Sequence, residues 1–146
     1  MIDRRAAVLS LLLVAAGLSV GGCGGANSRL RTVHAPTGSG AIDFSVKNAT
    51  DAPINSLYLA KTERVNAAGQ DLDSDSPRGQ DLWGADLLSR AAIGAGQRLK
   101  IDVPEPGLWD VRAVDRDGRY QHIAGLHLGA GGRYVLELND GGWRAK

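Results

Sequence analysis

The sequence predicts an all-β protein, an antiparallel β-sandwich of six to eight strands with one short helix. Three observations carry that prediction. Apolar and polar residues alternate in several short runs, which is the period of a half-buried strand. Turn residues separate those runs at short intervals, as in sandwiches and small barrels. Twenty glycines in 146 residues suit a turn-rich chain better than a helical one.

The first run places Ile42, Phe44 and Val46 against Asp43, Ser45 and Lys47. Asn48 to Pro53 then turns the chain, because Asn and Asp bond their own backbone and Pro53 fixes φ. A second strand follows over 54–61, with Leu57 and Leu59 on one face and Ile54, Tyr58 and Ala60 on the other. Residues 63–80 read as a long polar loop, a length that in compact domains goes with function or disorder. Trp83, Leu87 and Leu88 have helical spacing and Asp81 can cap a first turn, so a helix is expected over 82–90.

Three further strands are the clearest. Leu99, Ile101 and Val103 alternate with Arg98, Lys100 and Asp102 before the turn Pro104–Gly107. Trp109, Val111 and Ala113 alternate with Asp110 and Arg112, and Asp117-Gly118 closes a hairpin, since that pair accepts positive φ. The returning run over 120–128 changes apolar parity between Ile123 and Leu126, which places a bulge at Ala124–Gly125. Gly129–Gly132 turns once more into Tyr134, Leu136 and Leu138. The expected core contains Phe44, Trp83, Leu88, Ile101, Trp109, Val111 and Leu136.

Ahead of these strands stands a leader. Met1 to Arg5 is a short basic start, Ala6 to Val20 is uncharged and rich in Leu, Val and Ala, and Val20-Gly-Gly-Cys23 follows. The run is shorter than the roughly 20 apolar residues a spanning helix needs, and it has the charged start and apolar centre of a secretory signal. Val20-Gly-Gly-Cys23 resembles a bacterial lipobox. The resemblance implies cleavage before Cys23 and attachment of diacylglycerol to its thiol. Cys23 is the only cysteine, and acylation accounts for an odd thiol in an oxidising compartment, where cysteines usually pair. The expected organisation is a signal peptide over 1–22, a flexible tether over 23–40 rich in Gly, Ser, Thr and Pro, and a sandwich domain over 41–146. Gly24 is not the aspartate that commonly retains lipoproteins at an inner membrane. The expected location is therefore a bacterial cell envelope, at the outer membrane and facing the periplasm.

Charge narrows the partners. The leader takes Arg4, Arg5 and Asp3 from a chain with 17 Lys+Arg and 16 Asp+Glu, which leaves 15 of each. A balanced chain without a basic cluster argues against nucleic acid and against a polybasic membrane patch, so lipid on Cys23 must do the anchoring. One acyl chain binds reversibly and two or more attach stably.

The pieces Phe44-Ser-Val-Lys-Asn48, Ile54-Asn-Ser-Leu-Tyr58, Trp83-Gly-Ala-Asp-Leu-Leu88 and Trp109-Asp-Val-Arg-Ala113 with Asp117-Gly118 resemble those of a loosely defined family. Its members are small exported bacterial β-sandwich proteins, and the Trp-Gly-x-Asp-Leu-Leu string is the most specific match. The resemblance implies a fold and a compartment and carries no activity. Relatives often have paired cysteines in the last strands; here there are none, so packing alone would hold the sheet.

Three features invite chemistry. Asp71, Asp73 and Asp75 alternate in the polar loop, and with Asp81 they could offer oxygens to Ca²⁺. An EF-hand would place Gly and Glu where Ser76 and Leu82 stand, so any such site is looser; the plainer reading is a solvated acidic loop. His122 and His127, five apart on one strand, fall on opposite faces unless the bulge realigns them, and they read as surface histidines. Trp143 is the tryptophan expected to be exposed, and it could stack on a cell-wall carbohydrate; the plainer reading is that it packs back onto a sheet edge. No nucleophile-elbow motif surrounds Ser56 or Ser89, and Glu63, Glu105 and Glu137 lie far apart in sequence. The expectation is a non-enzymatic lipoprotein that presents sandwich loops to an envelope protein partner. The alternative is a module binding Ca²⁺ or cell-wall carbohydrate at 71–81.

Overall fold

A computed structural model describes residues 27–69 and 72–146. Seven strands form two sheets: β1 (Arg29–His34), β2 (Asp43–Asn48), β3 (Ile54–Lys61), β4 (Arg98–Ile101), β5 (Gly107–Asp115), β6 (Tyr120–Leu128) and β7 (Arg133–Leu138). One sheet has the order β1-β7-β2-β4 and the other β3-β5-β6. Neighbours are antiparallel except β2 and β7, which run parallel from Asp43↔Arg133 to Asn48↔Leu138. The sandwich expected from the sequence is therefore present, with one parallel pair inside it.

The main core lies between the sheets. Phe44, Val46, Ile101, Tyr134 and Leu136 from one sheet meet Leu57, Trp109, Val111, Ala113 and Leu128 from the other. All seven core residues expected from the sequence are buried. The bulge is also where the parity change placed it. Trp109 pairs with Leu126 but Val111 with Ile123, and Gly125 takes φ 69°, a conformation glycine adopts without Cβ strain.

Residues 29–34, assigned by composition to the tether, are instead strand. β1 pairs with β7 from Arg29↔Glu137 to His34↔Arg133. It is an edge strand exposed at all but Leu30, so backbone hydrogen bonds hold it and no apolar alternation marks it. The domain therefore begins well before residue 41.

The expected helix over 82–90 is corrected too. Two short helices occur: α1 (Thr62–Ala68) and α2 (Pro77–Trp83). Ser76, not Asp81, caps α2, its side chain accepting from Gly79 N, with Pro77 at the first turn, where a missing N–H costs nothing. Gly84 (φ 71°, ψ −154°) ends α2. Leu82 and Trp83 consequently pack on one side of the β3-β5-β6 sheet while Leu88 enters the main core on the other.

After α2 the chain closes the free edge of β3. Leu87 N donates to Leu57 O, and Ile54 and Ile93 exchange hydrogen bonds. Asp86 Oδ1 accepts from Leu57 N and Leu88 N, both at 3.0 Å. The Trp-Gly-x-Asp-Leu-Leu string is thus a structural clasp: Trp83 fills one core, Leu88 the other, and Asp86 covers an edge that would otherwise invite pairing.

Candidate functional site

The helices α1 and α2 create a second buried layer on the outer face of β3-β5-β6. Tyr58, Ala60, Val65, Leu82 and Trp83 form its apolar part. Register brings Ala60 beside Asp110 and Tyr58 beside Arg112, and Arg112 beside His122. Strand alternation thus points Trp109, Val111 and Ala113 inward and Asp110 and Arg112 outward, into a layer the helices then cover.

Asp110 is the hub of this layer and is 1% exposed. Its Oδ1 accepts from Thr62 Oγ1 at 2.6 Å and from Gly125 N at 2.9 Å. Its Oδ2 lies 2.7 Å from His122 Nε2; a carboxylate only accepts, so the imidazole proton belongs on Nε2. The bulge is what turns the Gly125 N–H toward the carboxylate. His122 meets Trp83 edge-on, with ring centroids 5.4 Å apart and planes at 89°. The Arg112 guanidinium stacks 4.1 Å from the Tyr120 ring centre and 6.0 Å from that of Trp83.

The order of bonds decides what this cluster can do. It runs Thr62–Asp110–His122, with the carboxylate in the middle. A nucleophile triad needs the imidazole between hydroxyl and carboxylate, so that His takes the hydroxyl proton. Here the Thr62 proton already points to Asp110. The cluster is suited to holding α1, β5 and the bulge in register, because a buried carboxylate that accepts three hydrogen bonds is fully compensated.

Two recesses flank it. Lys61, Thr62, Glu63, Asn66, Leu108 and Trp109 line a groove of about 350 Å³, where Lys61 pairs with Glu105 and Leu108 is half exposed. On the other side, His122, Ser28, Gln121 and Arg144 line a recess of about 290 Å³.

Of the residues singled out from the sequence, Glu63 lines the first recess and His122 the second, and the described acidic-loop residues line neither. Asp73 and Asp75 both face Lys146 Nζ, at 2.9 and 3.4 Å. The Lys146 hydrogen bond, seconded by the Asp75 N–H, holds the Asp73 carboxyl below the usual aspartate range. Asp73 also shapes the turn before α2, its carbonyl accepting from Ser76 N and Ser76 Oγ. Asp81 sits exposed on α2, its carbonyl accepting from Arg64. Asp71 lies outside the described residues, and among the described residues no three His, Cys, Asp or Glu side chains gather as a metal site.

Trp143 is half-buried, not exposed as expected. It packs against the main core beneath the Arg119 guanidinium, 5.3 Å from its ring centre, so its ring is no open stacking platform. His127 is exposed, but His122 is not the surface histidine the sequence suggested. Cys23 lies outside the described residues, and no helix among those described is long and apolar enough to cross a membrane.

Sequence reasoning missed Thr62, Asp110 and Arg112, and it placed His122 on the surface. One signal pointed to them: β3 is apolar on both faces, which means its second face is also covered. Polar residues opposite that face on β5 must then be buried and paired. Comparison of the chain with protein-family models, curated proteins and solved structures gives no match.

Proposed function

We propose that this protein is a lipid-anchored component of a bacterial cell envelope that acts by presenting its sandwich to a protein partner and not by catalysis. The single observation behind this reading is the sole cysteine, Cys23, closing a lipobox-like segment just ahead of a folded domain. The geometry of the outer layer supports the non-catalytic part, because its one buried carboxylate is spent on three internal hydrogen bonds. The surface offered is the helix-bearing side, where exposed Glu63 lines the Leu108 groove and exposed Arg64 and Arg78 line a second, shallower recess between α1 and α2. The rival reading, Ca²⁺ at 71–81, is weakened by Lys146, whose ammonium already pairs with Asp73 and Asp75 where the cation would sit.

The test is photo-crosslinking in intact cells from Arg78 on α2 and, as a control, from Lys100 on β4. A defined protein adduct from Arg78 and none from Lys100 is expected, and its loss should accompany loss of function in a Cys23→Ala strain. Equal capture at both positions, or full function of the unanchored domain, contradicts the proposal. Calorimetry separates the rival: a dissociation constant for Ca²⁺ below about 1 mM, the range of extracellular modules, abolished by Asp73→Asn, would establish the binding module instead.

A further inference from the structure

We infer that Cys23 holds this sandwich end-on and close to the lipid surface, with one end of the domain facing the membrane and the Leu108 groove facing away. The inference rests on the lipoprotein reading above and adds an orientation to it. Asn27 is pinned to the fold: its carbonyl accepts from Asn139 Nδ2 at 3.0 Å. Ser28 Oγ accepts from Asn139 N at 2.9 Å and donates to Gln121 Oε1, while Gln121 Nε2 donates to Asn139 O. This latch ties the start of β1 to both sheets at one end. It also leaves no room to spare, since a Cβ on Gly142 would stand 2.3 Å from Gln121 Oε1 and 2.8 Å from Ser28 Oγ.

Only four peptide steps separate Cys23 from Asn27, and a fully extended chain spans at most about 14 Å over that distance. An 18-residue tether over 23–40 would let the domain tumble; the four residues 23–26 do not. The register fixes what lies at the pinned end. Asn48 pairs with Leu138, Asp51 N donates to Asp140 Oδ1, Ile54 pairs with Asp115, and Tyr120 bridges to Arg144. The membrane-facing end therefore comprises the 50–52 turn, the 115–119 hairpin and residues 139–144. At the opposite end Lys61 pairs with Trp109 and Gly107 with Leu128, which puts the groove of Lys61, Thr62, Glu63 and Leu108 there. The nine residues of β5 separate the ends by about 26 Å, eight steps at about 3.3 Å. The exposed charges at the near end are mixed, Asp51, Arg116, Asp117, Asp140 and Arg144, so the short link and not a basic patch sets the orientation.

The experiment couples the chain from Cys23 onward, through its one thiol, to maleimide-bearing phosphatidylcholine vesicles that also carry a headgroup nitroxide. A fluorophore is placed by click chemistry on an unnatural residue at Asp51 or Arg116 (near end) or at Pro106 or Leu108 (far end), with thermal melts confirming the parent fold. Quenching several-fold stronger at Asp51 and Arg116 is expected, with little change when anionic lipid is added. A Gly/Ser insertion of about 20 residues after Gly25 spans roughly 25 Å and should erase the difference. Equal quenching at both ends in the parent, stronger quenching at Pro106 and Leu108, or an asymmetry that survives the insertion would overturn the orientation. Because the coupling is chemical, absence of acylation in cells would sink the lipoprotein reading alone, whereas equal quenching would sink the orientation alone.

Discussion

The two faces of the β3-β5-β6 sheet are buried by different means. Its inner face meets the other sheet chiefly through apolar side chains, among them Leu57, Trp109, Val111 and Ala113, with the Gln121 hydrogen bonds confined to one end. Its outer face lies under two seven-residue helices and mixes Tyr58, Trp83 and Leu82 with Asp110, Arg112 and His122. Neither helix is long enough to be stable alone, and α1 buries only Val65. The inner face is thus held by area, which tolerates approximate shapes, and the outer by a few directional bonds that must all be satisfied. Neighbouring residues of one strand, Trp109 and Asp110, represent the two regimes.

The largest effect should come from the inner face. Trp109→Ala removes a side chain 6% exposed whose Nε1 also donates to Glu105 O, and it should cost about 3–5 kcal/mol in urea melts. A loss under about 1 kcal/mol would show that the face is not packed as described. Asp110→Ala should come next, at about 2–3 kcal/mol, because it strands the Gly125 N–H and the Thr62 hydroxyl without an acceptor. It should also change the near-ultraviolet signal of Trp83, which His122 touches. A cost below about 0.5 kcal/mol, the level of ordinary surface substitutions, would mean that the polar layer is not structural and would reopen a chemical role for it.

A smaller effect tests how the helices are seated. Gly79 on α2 has no room for a side chain: an added Cβ would lie 1.7 Å from Asp73 O. Gly79→Ala should therefore cost about 1–3 kcal/mol by overpacking and loosen the 72–83 segment in hydrogen exchange while the β5 and β7 amides keep their protection. Equal deprotection of both would mean that the outer layer and main core are one cooperative unit.

The smallest effect is the pH dependence of the Lys146 contact. Its hydrogen bond, the largest cause, lowers the Asp73 pKa in the folded state. That contribution is present above the ordinary aspartate value and is lost as pH falls through the depressed one. The Lys146 pKa is raised, chiefly by Asp73, so on that side the contribution is present below the ordinary lysine value and lost as pH rises through the elevated one. Lys146→Ala should flatten both limbs of the stability profile; an unchanged profile would show that the pair contributes nothing in solution.

These regimes also explain what was legible in the sequence. Strands β2, β4, β5, β6 and β7 border the main core and carry its alternation, and the Gly125 bulge betrayed itself as a parity change. β1 could not be read, because Arg29–His34 is held by backbone bonds and buries almost nothing. The helices hid in a segment where α1 has one buried residue and α2 takes its start from Ser76-Pro77, a capping signal overshadowed by the apolar string that follows. Asp110 and His122 looked solvated because alternation gives the face of a residue and not what covers that face. Asp73 and Asp75 looked like ligands because their counterion, Lys146, is 71 residues from Asp75.

Every functional reading here depends on one covalent event, and mass spectrometry of the mature N-terminus tests it most directly. A chain beginning at Cys23 with diacylglycerol on its sulfur is expected, together with release of Cys23→Ala from the membrane fraction. An unmodified Cys23, or a Cys23→Ala variant that fractionates with the membrane as the parent does, contradicts the account.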